Sequence, residues 1–405
     1  MSNVSKETEA LFDEIDKDMN ILINTNSLKN SLHKITGVLS KNLSMPVISN
    51  VLIEKKKKQI SITATNLEIQ ITVNADYLES DEFDPITVSG TKLYEIVRSL
   101  DNQNVQITTS KDNLVLKANT SSFKLSTLPA VKFPSFEEAK FLEEFTIKQT
   151  QLLDLLNKTS FSMLVDPDIN FFLAGMLLVL APNNLTAVTT DRHRLAISTT
   201  RLEKKQINNI ECIVPRKAVL ELIRILHGDG EAKARVGSNQ MRVDFKDTSF
   251  ISKLIDGKFP GSWRGVIPTT AAIEILLEKQ NIRSVLQRVS ILADEKFKSV
   301  RIEATNETMT LSSVNHASPQ EEAKETIKYQ SSSTKPNKVI VGFNARYLLE
   351  AINACSGDKV EIGLNGHGED PKLSDEQNLS ARTKGTLISS PGDRNTKYVI
   401  MPTNL

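Results

Sequence analysis

The feature of this sequence that most constrains its fold is a pair of helical patterns that occurs three times in the same order. The first pattern reads NSLKNSLHKITGVL from residue 26, TQLLDLLNKTSFSM from residue 150 and QNIRSVLQRVSIL from residue 280. Each copy places two apolar residues four positions apart, which is the spacing of one apolar helix face. These residues are Leu28 and Leu32, Leu152 and Leu156, and Ile282 and Leu286.

A second helical pattern follows the first in every copy. It reads VSGTKLYEIVRSL from residue 88, VPRKAVLELIRIL from residue 214 and FNARYLLEAINA from residue 343. The offset between copies is 124 residues from Leu28 to Leu152 and 130 residues from Leu152 to Ile282, about the length of one domain. Because chance triplication of two helices in one order is improbable, the repeat predicts three domains of one design.

Between the helical patterns, apolar and polar residues alternate as they do in half-buried strands, for example at Ile60, Ile62 and Ala64. Each domain is therefore expected to hold two helices and roughly eight short strands, an α+β fold with the helices packed on antiparallel sheets. The expected divisions are an acidic, disordered arm at 1–18, domains at 19–140, 141–268 and 269–405, and surface loops at 330–338 and 365–385.

Composition argues against a metalloprotein, a membrane protein and a secreted protein. Cys212 and Cys355 are far apart and the five histidines are not clustered, so we expect buried thiols in a reducing compartment and neither a metal nor another cofactor. The N-terminal residues lack the pattern of a signal peptide, and the longest apolar run, 171–181, is too short to cross a bilayer. We expect a cytoplasmic protein that does not bind membranes.

Positive charge is concentrated on the predicted helices 27–39, 91–100, 150–160, 216–227, 279–290 and 344–353. They hold twelve Lys or Arg and four Asp or Glu, a balance of +8, and since the formal net charge is +1 the rest of the chain carries −7. Helices that simply favour exposed Lys and Arg would usually hold as much Glu, an equally good helix former. The imbalance favours a surface that faces a polyanion, and without base-reading motifs it predicts phosphate contacts that are independent of sequence.

Seven segments, in chain order, resemble the bacterial DNA polymerase III beta subunit family. They are MPVISNVLIE from residue 45, ITATNLEIQITV from 62, FKLSTLPAVKFP from 123, TDRHRLAIS from 190, FPGSWRGVIP from 259, SILADEKFKSVRI from 290 and YVIMP from 398. Together they span about residues 19–405 and agree with the repeat. The resemblance implies a DNA sliding clamp: each protomer has three DNA-clamp domains and forms half of a closed ring whose helices line the hole.

The resemblance also implies a peptide groove between the second and third domains. The replicative polymerase alpha subunit, the clamp loader, repair polymerases and ligase are expected to dock there through a short motif with a glutamine and apolar residues. The groove residues implied by the local matches are Leu173, Thr190, His193, Arg194, Leu195, Pro260, Val266, Val399, Ile400, Met401, Pro402 and Leu405.

Two further surfaces are expected. Double-stranded DNA is expected to contact the helix cations and Lys41, a set that comprises Lys29, Lys34, Lys41, Arg98, Lys158, Arg216, Lys217, Arg224, Arg283, Arg288 and Arg346. The homodimer is expected to join the first domain of one protomer to the third domain of the other. The first side holds Lys92, Phe123 and Leu125, and the second side holds Ile291, Leu292, Glu321, Glu322 and Glu325.

The groove segments depart from the family pattern. Arg192 stands where the family usually has a glycine, which predicts an altered backbone in a loop that needs positive φ. Asn170 replaces a common arginine, FPGSWRGV is one residue longer than usual, and Thr403 and Asn404 replace a methionine and an arginine. These departures concern the detailed specificity of the groove.

Two other functions are alternatives to the clamp. Asp191, His193 and Arg194 suggest a hydrolytic or phosphoryl-transfer site, but no nucleophile or set of metal-binding carboxylates accompanies them, so we expect no enzyme activity. A DNA-independent scaffold that uses the groove alone, or a specialised clamp paralogue, is the remaining alternative. Retention on DNA separates the scaffold from the clamp.

Overall fold

The computed structural model of the chain describes residues 19–39, 45–101, 103–110, 112–137, 139–166, 170–203, 209–294, 298–305, 307–315, 318, 320–331, 338–365 and 384–403. The predicted arm at 1–18 and most of the predicted loop at 365–385 lie outside them. The described helices are α1 (Thr25–Ile35), α2 (Gly90–Ser99), α3 (Gln149–Thr159), α4 (Arg216–Ile225), α5 (Lys279–Val289) and α6 (Ala345–Ala354). Each begins within two residues of its predicted start.

The strands of the first half of the chain are β1 (Asn20–Asn24), β2 (Asn50–Lys56), β3 (Gln59–Thr65), β4 (Ile69–Asp76), β5 (Glu79–Ser80), β6 (Ile86–Ser89), β7 (Asn104–Ser110), β8 (Asn113–Ala118), β9 (Ser121–Pro129), β10 (Phe141–Lys148), β11 (Gly175–Ala181), β12 (Asn184–Thr190) and β13 (Arg194–Arg201). Those of the second half are β14 (Ile210–Pro215), β15 (Glu231–Gly237), β16 (Gln240–Phe245), β17 (Thr248–Lys253), β18 (Ile273–Glu278), β19 (Ser299–Ala304), β20 (Thr308–Ser313), β21 (Lys324–Lys328), β22 (Gln330–Ser331), β23 (Val339–Asn344), β24 (Lys359–Leu364), β25 (Thr386–Ser390) and β26 (Asp393–Ile400). The strand pairs are antiparallel, so the predicted α+β class is confirmed.

The first compact unit comprises Met1–Glu144 and His227–Lys253. Its sheet has the strand order β10-β15-β16-β17-β4-β3-β2-β6-β9-β8-β7-β1-β5. β17 pairs with β4 and places the buried Phe250 opposite the buried Ile71. Helix α1 packs on β3 and β4 and contacts α2, so both helices of the first predicted repeat belong to this unit.

The second compact unit comprises Phe145–Leu226 and Leu254–Leu405. One sheet has the order β14-β11-β12-β13-β26-β25-β24-β18-β22 and a smaller one has the order β21-β20-β19-β23. Helix α3 packs on β12 and β13, α4 packs on β11 and β14, and α5 packs against α6. The two units cut across the boundaries expected at 141 and 269, which stay predictions. No helix in the described ranges is long and apolar enough to cross a membrane.

Helix α2 begins at a glycine that packs closely against two apolar side chains. A Cβ atom on Gly90 would lie 2.7 Å from the Cδ1 atom of Leu39 and 2.7 Å from the Cγ1 atom of Val51. Val51 is fully buried on β2 and cannot move without disturbing the core, whereas Leu39 is half-buried. The glycine therefore sets how closely the start of α2 approaches the sheet.

We predict that Gly90→Ala lowers the free energy of unfolding by about 1–3 kcal/mol through overpacking, against a helix-propensity gain of at most about 1 kcal/mol. The check is the urea midpoint of the unfolding transition. Gly265→Ala is the matched control, because a Cβ atom there meets no atom within 4 Å. Equal midpoints for the two variants would contradict the close-packing argument.

Candidate functional site

An apolar cavity lies on the second unit, where β13 pairs with β26. Its volume is about 160 Å³. The described residues that line it are Leu173, Thr190, Arg192, Arg194, Leu195, Pro260, Ser262, Trp263, Val266, Val399 and Met401. Leu195 lies opposite Val399 in the strand pair and forms the floor with it. The arrangement is a concave apolar surface with a few polar groups at its edge, which suits side chains of a peptide.

The chain segment that follows β17 closes one side of this cavity. Pro260 precedes a short 3₁₀ helix, Gly261–Val266, and the fixed φ of proline suits this position. Phe259 and Trp263 are buried in the same apolar cluster as Leu195 and Val399, whereas Val266 is 42% exposed at the mouth. The segment is therefore fixed in the apolar cluster by its buried aromatic residues, and its exposed Val266 leaves the mouth of the cavity open to solvent.

Strand alternation corrects one predicted groove residue. Val399 packs in the apolar cluster below the cavity, but the next residue, Ile400, is fully buried in the separate core of α5 and α6. Successive side chains of a strand point to opposite faces, and the fully buried Ile400 lies on the face opposite that of Val399 and Met401, which both line the cavity. Ile400 is therefore a core residue of the second unit and not a groove residue.

The loop from Thr190 to Arg194 is held by its own side chains. The Asp191 carboxylate accepts hydrogen bonds from the amides of His193 at 3.0 Å and Arg194 at 3.1 Å. The Thr190 hydroxyl donates to the carbonyl of Arg194 at 2.6 Å and accepts from the amide of Arg192 at 3.1 Å. Arg192 has a φ of 77°, so the left-handed backbone that suits glycine is kept, contrary to the expected alteration.

The side chain of Arg194 fixes this loop to helix α6. Its Nε atom donates to Asp191 at 2.8 Å and its Nη2 atom donates to the carbonyl of Phe161 at 2.7 Å. Its Nη1 atom pairs with Glu350, and the guanidinium lies 4.3 Å from the ring centroid of Tyr347. Because the side chain is buried and each guanidinium nitrogen donates a hydrogen bond, Arg194 acts as a structural anchor at the edge of the cavity.

Glu350 carries the charge that balances this anchor. Burial opposes ionisation of the carboxyl, but hydrogen bonds from Arg194 and Arg346 outweigh it and hold the pKa of Glu350 below its usual range. Arg346 donates through Nε at 2.9 Å from the exposed side of α6. The carboxylate is therefore ionised at neutral pH and is shared between a buried and an exposed arginine.

The other predicted groove residues occupy several positions. Eight belong to the lining: Leu173, Thr190, Arg194, Leu195, Pro260, Val266, Val399 and Met401. His193 and Pro402 are not among the described lining residues, and His193 stacks on Tyr347 with ring centroids 6.2 Å apart. Leu405 lies outside the described residues. Sequence reasoning missed Arg192, Ser262 and Trp263 as lining residues, although Trp263 is the only tryptophan and lies in the segment FPGSWRGVIP, which resembles the family.

Two other residues that were expected to depart from the family pattern, Asn170 and Thr403, lie beside the cavity. The carbonyl of Asn170 accepts from the amide of Leu173 at 2.9 Å, so it starts the short helix that carries a lining residue. The amide of Thr403 donates to the carbonyl of Gly342 at 2.8 Å, and the amide of Met401 donates to the carbonyl of His193 at 2.8 Å. These backbone bonds hold the end of the described chain beside the cavity, whatever side chain stands at 403. Asn404 lies outside the described residues.

The predicted DNA-facing cations fall into two groups. Five form ion pairs: Lys34 with Asp247 at 2.6 Å, Lys158 with Asp154 at 2.8 Å and Asp393 at 3.1 Å, Arg224 with Glu221, Arg288 with Glu325 at 2.7 Å, and Arg346 with Glu350 at 2.9 Å. Within the described part of the chain, five others take part in no ion pair: Lys29, Arg98, Arg216, Lys217 and Arg283. Lys41 lies outside that part. The unpaired group is the better candidate for phosphate contact, because phosphate need not displace a carboxylate.

The predicted dimer residues differ widely in exposure. Ile291 is 74% exposed, whereas Leu125 is 9% exposed and belongs to the core of the first unit. Lys92, Glu321 and Glu322 are exposed, and Phe123 and Leu292 are half-buried. Glu325, which was expected to face Lys92 with its neighbours, is half-buried and accepts two hydrogen bonds from Arg288 at 2.7 Å. Ile291 is therefore the residue that best reports on an interface.

The residues that suggested an enzyme have structural roles in the loop. Asp191 and Arg194 are paired with each other, and His193 stacks on Tyr347. Among the described residues, no group of three His, Cys, Asp or Glu side chains is placed to hold a metal ion. Cys212 and Cys355 are free and buried, and burial raises the pKa of Cys212 to about 12 and that of Cys355 to about 11. Both thiols are therefore protonated and weakly reactive at neutral pH.

Comparison with known sequences identifies three successive domains. The DNA polymerase III beta subunit N-terminal domain matches residues 19–137, its central domain matches 146–261 and its C-terminal domain matches 264–404. The beta sliding clamp of Pseudomonas putida is 32% identical over 389 residues, which cover 96% of this chain and 100% of the relative. That of Escherichia coli is 29% identical over 389 residues, with the same coverage of both chains.

Solved structures agree with these sequence matches. The crystal structure of a sliding clamp from Pseudomonas aeruginosa bound to griselimycin is 31% identical with a TM-score of 0.88, and the match covers 96% of this chain and 100% of that one. A second structure of the clamp from that organism, determined with a ligand, is 32% identical with a TM-score of 0.87 and covers 96% of this chain and 100% of that one. The chain belongs to the family of bacterial DNA polymerase III beta subunits, the beta sliding clamps, which are processivity factors and not enzymes.

Proposed function

We propose that this sliding clamp closes as a head-to-tail homodimer around double-stranded DNA and tethers partner proteins through peptides that bind in the apolar cavity. The observation that carries the proposal is the cavity itself, with its floor of Leu195 and Val399 and its anchored loop. Two apolar side chains of a peptide fill such a site, while the loop amides and hydroxyls bind its backbone or a glutamine. The expected partners are the replicative polymerase alpha subunit, the clamp loader, repair polymerases and ligase.

The proposed dimer is supported by two strand edges. β9 pairs with β8 through residues 121–126 and with β6 through residues 127–129, so within the described residues one edge of 121–126 has no strand partner. β21 is the outer strand of the smaller sheet in the second unit. A free strand edge favours pairing with another chain. Head-to-tail contacts between such different surfaces make a closed ring when two copies are related by a twofold axis.

The proposed DNA contact is loose, because five of the ten described DNA-facing cations already form ion pairs. Phosphates would contact the unpaired group, and because few counterions are released the equilibrium binding is weak. We place the protein in the cytoplasm, on the nucleoid, since its family acts on the replicating chromosome. The proposed domain boundaries are 19–140, 141–268 and 269–405.

We predict that Val266→Asp weakens binding of a peptide with a glutamine and two apolar residues by at least about tenfold, because it puts a charge against the apolar cavity. Fluorescence polarisation with a labelled peptide measures the affinity. The control is Val131→Asp, which changes a side chain that is 91% exposed and outside the cavity. Equal affinity for both variants would place the peptide site elsewhere.

We predict that Ile291→Asp converts the dimer to a monomer in light scattering, because one charged side chain is buried at each of two equivalent contacts. The matched control is Leu78→Asp, at an aliphatic residue that is 57% exposed and not in the predicted interface. A dimer that withstands Ile291→Asp at low protein concentration would refute the proposed surface.

We predict that the protein, once loaded on nicked circular DNA by a clamp loader, stays bound through a moderate-salt wash and leaves quickly when the circle is cut once. A ring is held by topology, so linear ends release it, whereas phosphate contacts alone would fail in the wash. Gel filtration of the protein with DNA before and after linearisation measures retention. Fast release from uncut circles would favour the DNA-independent scaffold.

A further inference from the structure

We infer that Arg192 makes the groove selective for partner peptides that carry a carboxylate beside their apolar residues. This inference rests on the proposed function and adds the chemistry of the peptide that fits this particular chain. It assigns a role to an exposed cation that lines the cavity.

The backbone fixes where the Arg192 side chain starts. Its φ of 77° is left-handed, and its amide donates to the hydroxyl of Thr190 at 3.1 Å. The amides of His193 and Arg194, which follow it, are both held by Asp191. Because three consecutive amides are hydrogen-bonded, the side chain leaves a rigid loop and reaches the edge of the cavity while remaining exposed to a peptide.

The charge of Arg192 is uncompensated, in contrast to that of its neighbour. Arg194 is paired with Asp191 and Glu350. Among the described residues, the guanidinium of Arg192 has no hydrogen bond or ion pair, and the described lining of the cavity includes no acidic residue. Arg264 adds a second cation nearby, 4.1 Å from the ring centroid of Trp263 in the lining.

This arrangement favours one class of peptide. A carboxylate placed at the edge of the cavity meets a cation that no carboxylate of the described chain already occupies, next to apolar walls that weaken solvent screening. An amide of the same shape gains a hydrogen bond but no charge attraction. The expected preference therefore concerns the charge of the peptide and not its apolar residues.

The test uses paired peptides with a glutamine and two apolar residues that differ only by Asp or Asn, with that position scanned along the sequence. At the best position, the native protein is expected to bind the Asp peptide about fivefold more tightly, as for an exposed to half-buried ion pair. Arg192→Gly keeps the left-handed backbone and is expected to abolish this preference. Arg192→Lys is expected to retain most of it, and added salt is expected to reduce it.

The matched control is Lys246→Gly. Lys246 is also an exposed cation with positive φ, 52°, and it lies outside the cavity, so its loss changes the net charge and backbone freedom equally. The Asp preference should survive in this variant. An Asp preference that survives Arg192→Gly, or equal binding of Asp and Asn peptides to the native protein, overturns the inference and leaves the proposed function standing. If no peptide binds the native protein, the proposed function fails, and the inference fails with it.

Discussion

The antiparallel pairing of β13 with β26 is the contact on which the second unit and its cavity depend. It joins Leu195 to Val399 across about two hundred residues of chain and completes the nine-stranded sheet. Because side chains alternate along a strand, one face of this pair forms the floor of the cavity while Ile400 and Tyr398 fill the core on the other. A change that shifted this register by one residue would exchange the two faces and remove the cavity and the core together.

The anchored loop adds orientation to that scaffold. A buried ion pair contributes little net stability, because both charges lose water. The network of Arg194, Asp191 and Glu350 nevertheless fixes direction, since each nitrogen of the guanidinium donates to a different acceptor. Removing one carboxylate would leave the buried guanidinium with a single charged partner and one nitrogen without its acceptor, which costs more than the lost pair provides. The network therefore sets the loop geometry that places Arg192 at the cavity edge.

Sequence reasoning succeeded where structure is local and failed where it depends on distant partners. The positions of the helices could be predicted from apolar residues such as Leu152 and Leu156, because helical periodicity depends on residues only three or four positions apart. The face of β26 on which Ile400 lies depends on the pairing of β26 with β13, which the sequence does not show. Sequence matching alone therefore assigned Ile400 to the groove, whereas the structure places it in the core. The backbone of Arg192 was expected to change with its side chain, but the hydrogen bonds that the loop amides donate to the side chains of Thr190 and Asp191 hold the turn.

The ion pairs also change how positive charge on the helices is understood. A count by segment treats Lys34 and Lys158 as free charges, yet both are paired with acids far away in the sequence, Asp247 and Asp393. Such pairs lower the field that a phosphate meets, so the effective positive surface is smaller than the helix balance suggests. Weak attraction suits a ring that must move along DNA, because strong contacts would hold it in place. The charge distribution therefore leaves retention on DNA to the proposed closure of the ring and not to phosphate contacts.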